Sequence, residues 1–183
     1  MNQDIIQVNQ QNFKPYLSES QIKERITEMA AEIKAHYKDK EPIFLVLLNG
    51  AFVFASDLLR AWDKPVETRF IKVSSYEDME STGKIDFNRD AINDLSGKDI
   101  LIIEDIIDTG HTLHDFTQYL RSMGVASIAI ASLLLKPSKL KHDINADFLG
   151  FSISDLFVIG YGLDYNERAR NLKAIYILDE AAD

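Results

Sequence analysis

Cysteine is absent from the 183 residues, which excludes disulfides, thiol chemistry and thiolate metal sites. Positive charge is scarce: 20 Lys and Arg stand against 29 Asp and Glu, a formal net charge of −9. That balance argues against nucleic acid and against an anionic membrane surface as partners. No apolar run approaches the length that spans a bilayer. The opening residues Met1-Asn2-Gln3-Asp4 lack the basic segment and apolar run of a targeting peptide, so a soluble, cytoplasmic protein is expected. Repeats, linkers and low-complexity tracts are missing too. With 46% hydrophobic residues, the expectation is one domain over residues 1–183, large enough for a proper core.

What is present centres on residues 100–120. Ile100 to Ile103 is an unbroken run of Ile and Leu without polar alternation, the pattern of a strand buried on both faces. Leu113, Phe116, Thr117 and Leu120 recur at helical spacing and predict an amphipathic helix. Between them lie three carboxylates, Glu104, Asp105 and Asp108, and a small-residue turn, Thr109-Gly110-His111-Thr112. Open α/β sheets bind ligands at the carboxyl ends of their strands, where loop amides and a helix N-terminus meet an anion. Amides from Asp108 to Thr112, with the Thr109 and Thr112 hydroxyls, can wrap a phosphate at such a helix start. Glu104 and Asp105, adjacent at a strand end, are expected to diverge and to suit a diol or a hydrated magnesium ion. Asp108, just before the turn, is placed to take a proton.

The remaining chain predicts alternating strands and helices. Residues 1–17 are weakly patterned, a short strand or arm. Ser18 with Gln21 fits a capping box ahead of the stripe Ile22, Ile26, Met29, Ala30 and Ile33. A buried run, Ile43 to Leu48, ends in Asn49-Gly50, and a second helix carries Phe52, Leu58, Leu59 and Trp62. Val66 to Val73 alternates as a strand. Ser74 to Gly97 is polar, acidic and without period, a long loop of the kind that is more often functional than idle. Strands are expected at Ile128 to Leu135, Phe148 to Phe151, Phe157 to Gly160 and Ile175 to Leu178, which together predict a parallel α/β sheet.

Glu-Asp-Ile-Ile-Asp-Thr-Gly, residues 104–110, resembles the phosphoribosyl-pyrophosphate signature of the purine phosphoribosyltransferases, in particular their hypoxanthine/guanine branch. The resemblance runs from about Glu41 to Leu178. It implies the type I phosphoribosyltransferase fold: a central, mainly parallel sheet flanked by helices, with a small hood and a mobile flap loop. It also implies purine salvage, in which a 5-phosphoribosyl group passes from phosphoribosyl pyrophosphate to N9 of hypoxanthine or guanine with Mg2+, releasing pyrophosphate and IMP or GMP. A homodimer or homotetramer is implied as well.

Residue by residue, the resemblance assigns the phosphoribosyl group to Glu104, Asp105, Ile106, Ile107, Asp108, Thr109, Gly110, His111 and Thr112, with Asp108 catalytic. Lys136 is by spacing a solvated strand end; Leu-Leu-Leu-Lys matches the lysine that donates to the purine 6-oxo oxygen. Phe157 and Val158 are by default core, and the resemblance gives the ring to stacking on the base and the Val158 backbone to its edge. Asp164, otherwise a turn residue, is implied at the purine site and as a metal ligand beside Glu104 and Asp105. Arg170 and the Asn49-Gly50 loop are implied at pyrophosphate. That loop usually reads Lys-Gly or Arg-Gly and often contains a cis peptide; here asparagine replaces the cation. Ser75-Tyr76 matches the flap dipeptide. His111 and His114 lack partners at metal-ligand spacing and receive no catalytic role.

Two other classes compete. A regulator that binds the sugar pyrophosphate without chemistry would lack use for Lys136, Phe157 and the Gly162 to Arg170 segment. An aspartic protease would carry Asp108-Thr109-Gly110 in an all-β barrel, whereas here the triplet leads into a helical pattern.

Overall fold

Burial of both faces of two central strands sets the architecture. In the computed structural model, which describes residues 5–74, 86–87 and 92–179, β3 (Ile43–Leu48) lies next to β6 (Asp99–Ile107) in parallel register, Ile43 opposite Ile100 and Val46 opposite Ile103. Ile43, Leu45 and Leu47 join Ile100 and Ile102 in one core, while Phe44 and Val46 join Leu101 and Ile103 in another. Apolar side chains on both parities demand cover on both faces, and helices supply it. The first face takes Leu113, Phe116 and Leu120 of α3 (His111–Ser122). The second takes α1 (Glu19–Tyr37) through Ile22, Ile26, Met29 and Ile33, and α2 (Phe52–Trp62) through Phe54, Leu58 and Trp62. The Ser18–Gln21 capping box forms at the start of α1.

The sheet is completed by β4 (Thr68–Ser74), β5 (Asp86–Phe87), β7 (Ser127–Leu135) and β8 (Phe148–Ser152). Its order is β5-β4-β3-β6-β7-β8; only the β4–β5 pair is antiparallel. The helix after Asp108-Thr109-Gly110 and this parallel sheet rule out the all-β alternative. Ser75 and Tyr76, and most of the loop expected over Ser74 to Gly97, lie outside the described residues.

Two strands expected in the parallel sheet belong elsewhere. β9 (Val158–Ile159) and β10 (Ile175–Leu178) pair antiparallel, and β10 pairs with β2 (Gln11–Leu17), itself hairpinned to β1 (Ile6–Val8). This second sheet, ordered β1-β2-β10-β9, has its own core of Phe13, Ile159, Ala169, Ala174 and Tyr176. It is the hood that the family resemblance implied, built partly from the weakly patterned N-terminal residues. The chain crosses from one sheet to the other between β8 and β9, and Ile153 N donates to Leu135 O (2.9 Å) as it passes the end of β7.

Candidate active site

The carboxyl ends of β3, β4 and β6 meet at a cavity of about 230 Å³ lined by Leu47 to Gly50, Val73 and the run Glu104 to Leu113. β6 is longer than its apolar run: Glu104 pairs with Ser132 and Ile107 with Leu135, so Glu104, Asp105 and Ile106 belong to the strand. Nor do the two acids diverge as expected. Glu104 Oε1 turns back to accept from the Asp105 amide (3.1 Å). Burial pushes the Glu104 carboxyl well above its ordinary value, and the charge of Asp105 adds to the shift. A carboxylate taken out of water seeks any donor in reach, and the next amide is the nearest.

The turn that follows exposes donors. Gly110 has a left-handed backbone (φ 78°), and the first main-chain bond of α3 runs from His114 N to Gly110 O (2.9 Å). Amides ahead of it have no acceptor inside the helix. Thr109 Oγ1 accepts weakly from His111 N (3.4 Å), and Thr109 O is held by Lys141 N (3.0 Å). The helix dipole adds partial positive charge at this end.

Two glycines let three segments touch. A Cβ on Gly50 would fall 1.6 Å from Asp105 Oδ2, and one on Gly162 (φ 101°) would fall 2.1 Å from the Gly50 carbonyl oxygen. The acidic end of β6, the loop after β3 and the segment after β9 are therefore stacked carboxylate on backbone on backbone. The loop contains a cis peptide at Leu48-Asn49, one bond ahead of Asn49-Gly50. Tyr161 Oη donates to Asp57 Oδ2 on α2 (2.6 Å), tying the segment after β9 to that helix as well.

Lys136 is not a solvated strand end: it is buried, only 6% exposed. Its Nζ donates to Asp108 Oδ2 (3.0 Å) and to Asp155 Oδ1 (3.4 Å). Lys139 Nζ lies 3.2 Å from Asp108 Oδ1 and 3.5 Å from Asp155 Oδ1, closing a ring of four charges. Burial pushes the Asp108 carboxyl up, but the hydrogen bonds and charges of Lys136 and Lys139 outweigh it and hold the group below its ordinary value. Asp155 and Lys139 carried no signal in the sequence beyond Lys-Pro-Ser-Lys, which puts two lysines one short helical turn apart.

Phe157 is 48% exposed and stands 6.3 Å from the Phe13 ring and 5.6 Å from Tyr165, at the edge of the hood, while Val158 is buried in β9. Asp164 and Arg170 find each other: Arg170 Nη2 sits 2.7 Å from Asp164 Oδ1, and Nη1 donates to Gly162 O (2.8 Å). Asp164 Oδ2 also accepts from Glu167 N (2.8 Å). His111 and His114 do have a partner, one that spacing could not show: His142 Nε2 lies 2.8 Å from His111 Nδ1, and the His142 ring stacks on His114.

Among the described residues no three acidic or histidine side chains converge as a metal cage. Glu104 and Asp105 are hard oxygen donors with no cation paired to either among those residues. Such a pair suits Mg2+, which keeps several waters and takes one or two carboxylates plus substrate oxygens.

Comparison with known proteins fits this geometry. The family model of the phosphoribosyl transferase domain matches residues 14–166, and the chain belongs to the phosphoribosyltransferase family. The hypoxanthine-guanine phosphoribosyltransferase of Aquifex aeolicus is 40% identical over 176 residues, covering 95% of this chain and 99% of that one. The enzyme of the same name from Bacillus subtilis is 44% identical over 169 residues, covering 92% and 94%. A crystal structure of hypoxanthine phosphoribosyltransferase from Staphylococcus aureus superposes with a TM-score of 0.85 at 40% identity, covering 91% of each chain. Within the family, the chain falls in the hypoxanthine–guanine branch.

Replacing Gly50 with Ala must displace either the loop or the Asp105 carboxylate. Gly50→Ala should lower kcat/KM for phosphoribosyl pyrophosphate by about 10²-fold, the order that a 1 Å misplacement costs. Steady-state kinetics checks this, and wild-type values would show that the contact does not matter.

Proposed function

We propose that this protein transfers the 5-phosphoribosyl group of phosphoribosyl pyrophosphate to N9 of hypoxanthine or guanine, releasing pyrophosphate and the nucleoside monophosphate in purine salvage. The observation that carries the proposal is the juxtaposition at the end of β6: an anion-accepting turn, a carboxylate before it, and a buried lysine bonded to that carboxylate. The relatives named above support the reaction and the 6-oxopurine substrate class.

The bond from the anomeric carbon to the pyrophosphate oxygen breaks as the bond to N9 forms, through an oxocarbenium-like centre. The amides and hydroxyls from Thr109 to Thr112 hold the 5-phosphate, and Glu104 and Asp105 face the ribose hydroxyls. Lys136 donates to the purine 6-oxo oxygen, and Phe157 stacks on the ring from the hood. Asp108 accepts the purine proton at N7. Arg170 and the Asn49-Gly50 main chain take pyrophosphate. Because Arg170 is paired with Asp164 in the free protein, substrate must compete for it.

Magnesium would be held by Glu104, Asp105 and Asp164 and would offset the charge of pyrophosphate, which a chain of net charge −9 cannot do alone. Ser75-Tyr76 belongs to the lid that keeps water from the activated sugar, and the protein works in the cytoplasm as one domain per subunit of a homodimer or homotetramer. The family resemblance supports each of these roles. Among the described residues no helix is long and apolar enough to cross a membrane.

Initial rates with hypoxanthine, guanine and xanthine side by side, with adenine as control, test the reading. Product with hypoxanthine or guanine and none with adenine is expected; a chain that binds the sugar pyrophosphate but forms no nucleotide with any base would be a regulator. Asp108→Asn should lower kcat by roughly 10²–10⁴-fold, the range for a lost acid–base group. Since the lysines hold Asp108 below its ordinary value, the carboxylate persists to lower pH. In kcat/KM, which reports the free protein, an acid limb due to it then lies below the usual carboxylate value of about 3.9. A fall between pH 7 and 5 that disappears in the Asn variant would contradict this.

A further inference from the structure

Two members of the ring of four charges, Lys139 and Asp155, have no part in the proposed reaction, and Asp155 is the one of the two that pairs with Lys136. Asp155 sits in the segment that carries the chain from the parallel sheet to the hood, two residues before Phe157. Its Oδ1 faces both Lys136 Nζ (3.4 Å) and Lys139 Nζ (3.5 Å). Its side chain is 55% exposed, against 8% for that of Lys136. An ion pair so open to water adds little to stability, so the fold has small need of it. The lysine is in the opposite position. A buried ammonium that loses its counter-ion is costly.

That loss is built into the proposed reaction. In the free protein Lys136 is held by Asp108 and Asp155. When Asp108 turns to the purine ring and takes its proton, it stops being a counter-ion, and Asp155 is the carboxylate that remains. An ammonium has three donors. With one fixed on Asp155, the group stays anchored from the side of the crossing segment, and another donor is directed at the base. We propose that Asp155 is a positioning residue of the purine site, holding Lys136 in place for the 6-oxo oxygen once Asp108 has been drawn to the ring nitrogen. The inference rests on the purine-site role given to Lys136 above. Because Asp155 and Phe157 share one short segment, the same crossing sets both the polar anchor of the base edge and the ring that stacks on its face.

The test is steady-state kinetics of the full-length protein carrying Asp155→Asn, Asp155→Glu or Lys136→Ala, with both substrates varied and melting followed in parallel. Asp155→Asn should raise KM for hypoxanthine about ten- to hundredfold, the range for a hydrogen bond to a charged group. KM for phosphoribosyl pyrophosphate and the melting temperature should stay near wild type, and Asp155→Glu should recover most of the loss. An unchanged hypoxanthine KM in Asp155→Asn, with a raised one in Lys136→Ala, overturns the inference and leaves the purine site standing. If Lys136→Ala is also unchanged, the purine-site reading itself fails. Equal increases for both substrates, or failure of Glu to rescue, would make Asp155 a merely structural residue and overturn the inference too.

Discussion

The end of β6 carries more negative charge than a sheet edge can hold without compensation. Glu104, Asp105 and Asp108 fall within five residues, at the mouth of a strand whose earlier residues are hidden on both faces. Each is answered in a different way. Glu104 is pushed toward its protonated form by burial and turns to the next amide. Asp105 lies against the bare backbone of Gly50. Asp108 is gripped by two lysines from the end of β7 and the short turn after it. The neighbouring segments can be understood as responses to this local field: a glycine where a carboxylate presses, lysines where one needs a partner, and a helix N-terminus aimed at the same spot.

The same constraint explains why a protein of net charge −9 can accept anionic substrates. The positive elements of the site are local and pre-paired: Lys136 and Lys139 with Asp108, Arg170 with Asp164. None of these three cations is left without a carboxylate in the free protein, which spares the far larger cost of a lone buried charge. The hood presents an exposed apolar edge. Phe157 stands largely in the open beside Phe13 and Tyr165, with its strand buried behind it.

Local pattern made much of this legible. Unbroken apolar runs found β3, β6 and β7, helical spacing found α1 and α3, and the capping box at Ser18 forms as the sequence predicts. The turn at Thr109 to Thr112 and the position of Asp108 just ahead of it could be read from residue order and type alone. Relations between distant short segments were not legible. The hood joins residues 6–17 to residues 158–178 through strands as short as two residues, too brief for a period to register. Lys139, Asp155 and His142 likewise reach their partners through tertiary contacts with no counterpart in spacing. The divergence expected of Glu104 and Asp105 failed because an ideal strand rule ignores what a buried carboxylate does to find a donor.

The central claim is that the turn after β6 holds the sugar phosphate. A crystal structure with guanosine or inosine monophosphate tests it most directly. The account predicts phosphate oxygens within hydrogen-bond distance of the main-chain amides from Thr109 to Thr112, with the purine between Lys136 and Phe157. A phosphate bound elsewhere, with that turn empty, would contradict it.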